Sequence, residues 1–343
     1  MRPLLLTMGD PTGIGPELIV KTLLDGDLGA LPVPVRVVGD LRALQQAGQV
    51  FSVDARVTGG RNSLYRLDFA GRILEVFAAS SLPEASLVYG RPDHRCGTAM
   101  AVYIDHAVRQ CLEGSAAGMV TCPINKGAIN AAGWHFPGHT ELLAQRCGVD
   151  QVVMMLAGEK LRVCLVTTHT AYRQVPELLS VVAIQTTLRL TAAALQQDFG
   201  LPQPRLAVLA LNPHAGENGL FGDEEERFIR PAIAAARAAG IDASGPHSAD
   251  TLFHFAVRGS HDAVICMYHD QGLIPLKLLH FDDAVNVTLG LPIIRTSVDH
   301  GTAYDLAGSG RASSASLRAA LRMAAAMAAS RSSFPQDHKS GND

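Results

Sequence analysis

Short apolar runs alternate with helical segments along most of this chain, and that alternation constrains its fold more than any other feature. Residues 4–8, 33–38, 118–121, 162–167, 205–211 and 262–267 are short and apolar without strict polar alternation, the pattern of parallel strands covered on both faces. The spacing between them predicts helices. Residues 98–113 repeat Met100, Ile104, Val108 and Leu112 on one face with Asp105, Arg109 and Glu113 opposite, and Gly114 stops the run. Residues 176–199 read as one longer helical stretch closed by Gly200. Asp223-Glu224-Glu225-Glu226 opens another with acids at the positive end of its dipole, and Pro231 inside it predicts a kink or a break. Residues 313–329 form a last Ala-rich helix. The order argues for an α/β fold with a mostly parallel sheet. Residues 41–95 yield only extended pieces, and the polar end, 332–343, reads as a disordered tail.

Composition narrows the function. A chain of 343 residues, 48% hydrophobic, has material for two domains or one large α/β unit. Its 29 basic and 32 acidic residues leave a net charge of −3 with no long run of one sign, which argues against a nucleic-acid or polybasic membrane partner. No stretch approaches the ~18 apolar residues of a membrane span, and the first apolar run meets a Gly/Pro-rich loop too soon for a signal-peptide core. Cysteines 96, 111, 122, 147, 164 and 266 are far apart with no C-x-x-C pair. They read as reduced core residues of a cytoplasmic protein. Lysine is rare, at positions 21, 126, 160, 277 and 339, so each invites a question that an arginine would not.

The chemistry lies in the loops at the strand ends. Residues 162–167 run into Thr168-His169-Thr170, 205–211 into Asn212-Pro213-His214-Ala215-Gly216-Glu217, and 262–267 into Tyr268-His269-Asp270-Gln271-Gly272. Ligands of open parallel sheets bind beyond the carboxyl ends of the strands, and three imidazoles there suit a divalent metal with open positions. They are 45 and 55 residues apart, so no local motif is involved; the alternative is three separate loop histidines that cap turns or helices. His106 is placed on the polar face of its helix. Gly9-Asp10-Pro11-Thr12-Gly13-Ile14-Gly15-Pro16-Glu17 opens a helix whose amides can receive an anion, without the G-x-G-x-x-G spacing. Cys122-Pro123-Ile124-Asn125-Lys126-Gly127 and Pro137-Gly138-His139-Thr140-Glu141 are further loops of ligand-site type. Lys277, Asn286 and Arg295, on short extended runs at 274–278, 286–289 and 293–295, suit a phosphate or carboxylate; surface ion pairs are the alternative.

Together the Gly9–Glu17 run, Gly138-His139-Thr140-Glu141, the Asn212–Glu217 run, the Tyr268–Gly272 run and Arg295-Thr296-Ser297-Val298-Asp299-His300-Gly301-Thr302-Ala303 resemble the 4-hydroxythreonine-4-phosphate dehydrogenases, enzymes of pyridoxal 5′-phosphate biosynthesis. The resemblance runs in order from about residue 4 to residue 325 and weakens around 41–95. It implies a fold like the isocitrate and isopropylmalate dehydrogenases, with two α/β/α domains around a cleft. The first would be 1–132 with 296–330 and the second 133–295, carrying the metal ligands, before a tail at 331–343. It implies a homodimer whose active site spans the subunit interface, with one divalent metal (Zn, Mg, Co or Mn) on His169, His214 and His269, one of these supplied by the partner subunit. Substrate contacts fall on His139, Thr140, Lys277, Asn286 and Arg295, and NAD or NADP on a loop with His300, Gly301 and Thr302. Lys126 and Asp250 are the candidates for proton transfer.

The activity implied is metal-dependent, NAD(P)-linked oxidation of 4-hydroxy-L-threonine 4-phosphate to 2-amino-3-oxo-4-phosphooxybutanoate, which loses CO2. A sister branch of the family oxidises D-threonate or D-erythronate 4-phosphate toward dihydroxyacetone phosphate with the same metal and phosphate ligands. Pro123-Ile124-Asn125-Lys126 and Asn218-Gly219-Leu220-Phe221-Gly222 resemble that branch more closely. The phosphate acyltransferases share the general fold, but they give no reason for three strand-end histidines.

Overall fold

The computed structural model describes residues 1–134 and 138–334. In chain order its elements are β1 (Leu4–Thr7), α1 (Gly15–Leu24), β2 (Val35–Asp40), α2 (Leu41–Val50), β3 (Ala55–Arg61), β4 (Leu64–Phe69), β5 (Arg72–Ser80), α3 (His94–Leu112), β6 (Gly118–Thr121), α4 (Lys126–Ala131), α5 (His139–Cys147), β7 (Val153–Ala157) and β8 (Arg162–Leu165). They continue with α6 (Val175–Leu178), α7 (Val181–Gln197), β9 (Leu206–Leu209), α8 (Arg230–Ala238), β10 (Ala243–His247), α9 (Ala249–Ala256), β11 (Ala263–Cys266), α10 (His269–His280), β12 (Val285–Leu289), β13 (Arg295–Val298) and α11 (Ala315–Ser333).

Among the described residues thirteen strands join one mixed sheet in the order β10-β9-β11-β8-β7-β12-β13-β6-β1-β2-β5-β4-β3. Two parallel blocks, β10-β9-β11-β8 and β13-β6-β1-β2-β5, flank an antiparallel centre. Three successive antiparallel steps, β8 to β7, β7 to β12 and β12 to β13, make the blocks run in opposite directions. The short apolar strands are covered on both faces, as their unbroken burial from Leu4 to Thr7 and from Gly118 to Thr121 shows. Period-2 alternation sorts β13: Arg295 hydrogen-bonds toward Thr121 and Thr288, whereas Thr296 donates Oγ1 to the Ala320 carbonyl of α11 on the opposite face.

Several expectations change. The stretch 176–199 is two helices bent by 89°, because Ser180 caps a fresh start by accepting from Ala183 N. Pro231 lies in the first turn of α8, directly after a wide π turn at Glu225–Ile229, and so does not interrupt the helix. Lys277 sits in the last turn of α10 and not on an extended run. His106 is buried, its ring stacked on Phe77 with centroids 3.8 Å apart. Residues 41–95 hold α2 and the antiparallel β3-β4-β5 meander. At the far end α11 continues through Ser333, and Arg331 donates a two-pronged pair to Asp198 at 2.6 and 2.8 Å; of the tail at 331–343, residues 335–343 lie outside the described residues.

The Gly9 loop has a structural job. Gly9 is left-handed (φ 72°), and a Cβ there would lie 2.2 Å from the Pro123 carbonyl oxygen. The amides expected to receive an anion are already engaged: Thr12 N donates to Asp10 Oδ1 and Ile14 N to the Thr302 carbonyl. The six cysteines are free thiols. Among the described residues no single helix is long and apolar enough to cross a membrane.

Candidate active site

The cleft of about 1090 Å3 that holds most of the expected site residues opens over the sheet's antiparallel centre. Thr121 of β6, Ser297 and Arg295 of β13, Asn286 of β12 and Met154 of β7 form its floor, and α10, the starts of α4 and α5, and residues 299–301 wall it. Lys126, His139, Thr140, His169, His269, Lys277, His300 and Gly301 all line it as well.

Arg295 dominates the floor. Its side chain is 2% exposed and donates Nη1 to Thr288 Oγ1 (3.0 Å) and Nη2 to Thr121 Oγ1 (2.9 Å), while Nε has no partner among the described residues. Among the described residues no carboxylate pairs with it, and burial pulls the guanidinium down to about 10. It remains a cation at neutral pH, held in place by hydroxyls and short of an anion. Among the described residues His139 Nε2, Asn286 Oδ1 and His300 Nε2 are also buried without a hydrogen bond, and all line the cleft. Unsatisfied groups are rare in native interiors, and here they converge where a ligand would complete them. Burial, with Arg295 and Lys126 nearby, drives the His139 imidazole well below its usual range, so it is neutral. Lys277 Nζ reaches into the cleft from α10 and pairs with Asp299 Oδ2 at 3.1 Å.

His169 and His269 face each other with ring centroids 5.7 Å apart. They come after β8 and β11, neighbouring parallel strands, so both project from one sheet edge. Gln271 holds the start of α10 by accepting from Met267 N and donating to the Ala210 carbonyl, both at 2.7 Å. Asp270 Oδ1 lies 2.7 Å from His269 Nδ1, and Tyr172 OH donates to its other oxygen. A proton shared on Nδ1 frees Nε2 as a ligand, the usual outer-sphere arrangement at metal histidines. Burial, His269 and Lys126 lower the His169 pKa, which favours the neutral imidazole a metal needs. The donor set fits a divalent ion, but one chain brings only two histidines together: among the described residues no three His, Cys, Asp or Glu form such a cluster.

His214 and Asp250 lie outside this cleft lining. His214 sits exposed in a left-handed turn after β9, its ring 6.2 Å from that of Phe221. Asp250, exposed at the start of α9, is held below the ordinary carboxylate range by hydrogen bonds from Ser248 and Thr251, with His214 adding its field. Thr302 also stands outside the lining, its carbonyl bonded to Ile14 N at 3.1 Å. Pro137 lies outside the described residues. Sequence reasoning missed Thr121 and Thr288, which hold Arg295, and the Asp270–Tyr172 support of His269; of these only Asp270 carries a local signal, as the residue after a strand-end histidine.

Fold and cleft together have the form of an α/β enzyme of small anionic substrates, with a buried arginine on the cleft floor and two histidines, His169 and His269, in the same lining. The family model described as "Pyridoxal phosphate biosynthetic protein PdxA" matches residues 32–324, and the chain belongs to that family. A 4-hydroxythreonine-4-phosphate dehydrogenase of Geobacter metallireducens is 56% identical, covering 95% of each chain. A putative D-threonate 4-phosphate dehydrogenase of Salmonella typhi is 42% identical, covering 94% of this chain and 98% of its own. The crystal structure of a 4-hydroxythreonine-4-phosphate dehydrogenase from Klebsiella pneumoniae superposes with a TM-score of 0.84 at 40% identity, covering 95% of this chain and 98% of its own.

Proposed function

We propose that the chain catalyses metal-dependent, NAD(P)-linked oxidation of 4-hydroxy-L-threonine 4-phosphate to 2-amino-3-oxo-4-phosphooxybutanoate, which then loses CO2. The observation that carries this reading is the buried Arg295 cation without a carboxylate partner, set in the same cleft as the His169–His269 pair. Arg295 with Lys277, Thr140 and neutral His139 would hold the phosphate, and Asn286 would orient the substrate through its free Oδ1. His169 and His269 of one chain with the partner subunit's His214 would hold a divalent ion, which supplies Lewis-acid polarisation of the secondary alcohol. Residues 300–302 would hold the nicotinamide cofactor, which would supply the hydride acceptor. Lys126, at the cleft wall, would move the alcohol proton at Nζ; the partner's Asp250 is the alternative, since Asp250 would come with His214.

A homodimer is the consequence of this division of ligands, and the surface supports it. Ile274 and Leu278 of α10 and Phe281 at its C-cap form an apolar stripe that is 62, 81 and 76% exposed beside the cleft, and Leu220 and Phe221 stand exposed near His214. Such patches are covered in use, here by a second copy. The sheet order also supports two domains, since β1–β6 and β13 fill one half and β7–β12, the strands within 133–295, the other. Six free cysteines suit a reducing cytoplasm.

The test is initial-rate NAD(P)H formation with Mg2+, Mn2+, Zn2+ or Co2+ on 4-hydroxy-L-threonine 4-phosphate beside D-threonate and D-erythronate 4-phosphates. A kcat/KM at least about tenfold higher on the amino acid supports the reading. The reverse ratio supports the sugar-acid activity, the second reading, which is favoured by the Salmonella typhi relative. No turnover on any of the three refutes both.

A further inference from the structure

We propose that Tyr304 is a positioning residue that ties the 299–304 loop to Lys126, so that the proton-transfer lysine is set by the segment expected to hold the dinucleotide. The inference rests on the proposed roles of that loop and of Lys126. Tyr304 OH donates to Asp10 Oδ2 at 2.5 Å and accepts from Asn125 Nδ2 at 2.6 Å. Asp10 is fully buried, and its other oxygen accepts from Thr12 N and Oγ1, both at 2.8 Å. Asn125 is the N-cap of α4: its Oδ1 accepts from Ala128 N at 2.8 Å, and Lys126 is the first residue of the helix.

The geometry makes the hydroxyl a hinge pin. With Nδ2 given to Tyr304, the Asn125 amide can face only one way, with Oδ1 toward the helix it caps. Burial and Asp10 push the phenol up to about 12, so it stays a donor to the carboxylate throughout the working range. Beyond Tyr304 the loop is fastened to α1, where Glu17 accepts from Gly308 N and Gly310 N and Lys21 donates to the Ala312 carbonyl. The loop's far end is therefore fixed, and a shift at 300–302 passes through Tyr304 to Asn125 and the start of α4. Lys126 Nζ projects from there toward Gly138, where a Cβ would lie 3.2 Å from it, and its charge is felt at His139 and His169. The Arg295 anchor is not part of this chain of contacts, so the hydroxyl should govern turnover more than substrate binding.

Tyr304→Phe removes only the hydroxyl, and Asn125→Ser keeps an N-cap too short to reach it. Both are measured with their double variant and Lys126→Met, by steady-state kinetics across neutral and alkaline pH and by calorimetry. The expected result is a kcat about tenfold lower in each single variant with substrate KM within about twofold, and a shifted pH profile of kcat. The double variant should lose no more than either single one, because both break one connection. Wild-type kcat in Tyr304→Phe, losses that multiply in the double variant, or an unmoved pH profile overturns the proposal. Should Tyr304→Phe not fold, Asn125→Ser breaks the same contact from the other side and is read by the same criteria. An inactive Lys126→Met beside a fully active Tyr304→Phe rejects the positioning role alone; a fully active Lys126→Met rejects the reading of Lys126 itself.

Discussion

Replacing Arg295 by Met should weaken substrate binding without weakening the fold, because the two respond to this side chain in opposite directions. In the free enzyme the guanidinium is 2% exposed, and burial pulls its pKa down from the ordinary arginine range to about 10. At neutral pH that corresponds to about 3 kcal/mol of unfavourable charge burial. Methionine fills much of the same space with no charge. It gives up the hydrogen bonds to Thr288 and Thr121, at about 1 kcal/mol each. The balance predicts a thermal midpoint within about 2 °C of wild type, in either direction.

Binding responds the opposite way. A buried, charge-assisted fork to a phosphate contributes about 3 kcal/mol or more, so substrate KM should rise about 150-fold or more. The KM for NAD(P) should stay within about twofold, since the anchor would touch only the phosphorylated substrate. Calorimetry with inorganic phosphate gives a readout independent of turnover: phosphate should raise the wild-type midpoint by mass action and leave the variant unmoved. A midpoint lowered by more than about 5 °C with KM unchanged would mean that Arg295 serves the core and not the substrate, and the reasoning would fail.

Complementation should obey the geometry of the histidines: mixed His214→Ala and His269→Ala subunits should recover about a quarter of wild-type activity through one intact site per heterodimer, whereas His169→Ala with His269→Ala should recover none. Activity from the second mixture would show that those two histidines do not serve one site. Glu17→Gln should lower stability by about 1–3 kcal/mol, because a buried carboxylate holding Gly308 and Gly310 amides loses an acceptor; a urea midpoint equal to wild type counts against that anchor. Stability should also depend on pH through buried and half-buried imidazoles. Burial holds His106, His247 and His261 below their ordinary 6.5, so the unfolded chain takes up protons first and stability, fully present above about pH 6.5, falls on acidification. Denaturation in urea across that window should show the loss, and His106→Gln should reduce its slope; a slope that steepens instead would contradict the assignment.

Strands and chemistry were legible to different depths, for different physical reasons. β1, β6, β8, β9 and β11 could be read because a strand covered on both faces must be apolar throughout, whatever its neighbours. That rule is silent about direction, and so the antiparallel pairing that reverses one block against the other could not be read from β7, a strand not expected at all, or from β12, expected only as the extended run 286–289. The β3-β4-β5 meander was illegible because much of it is exposed, and an exposed strand carries no burial pattern to read. Lys277 was misplaced because Gly272 and Pro275 speak against a helix. Yet Pro275 gives up only one backbone bond in α10, and Gly272 is required where a Cβ would come within 2.9 Å of Cys266 Sγ. At the site, residue type was enough to nominate His169, His269 and Arg295, because few side chains can ligate a metal or anchor a phosphate. The groups that prepare them could not be nominated in the same way. Thr121 and Arg295 are 174 residues apart, and Asn125 and Tyr304 are 179 apart, so each pair exists only once the sheet has closed. His214 shows the converse: its residue type was readable in the chain, while its place, exposed and outside the cleft that His169 and His269 line, is accounted for only by the second copy proposed above.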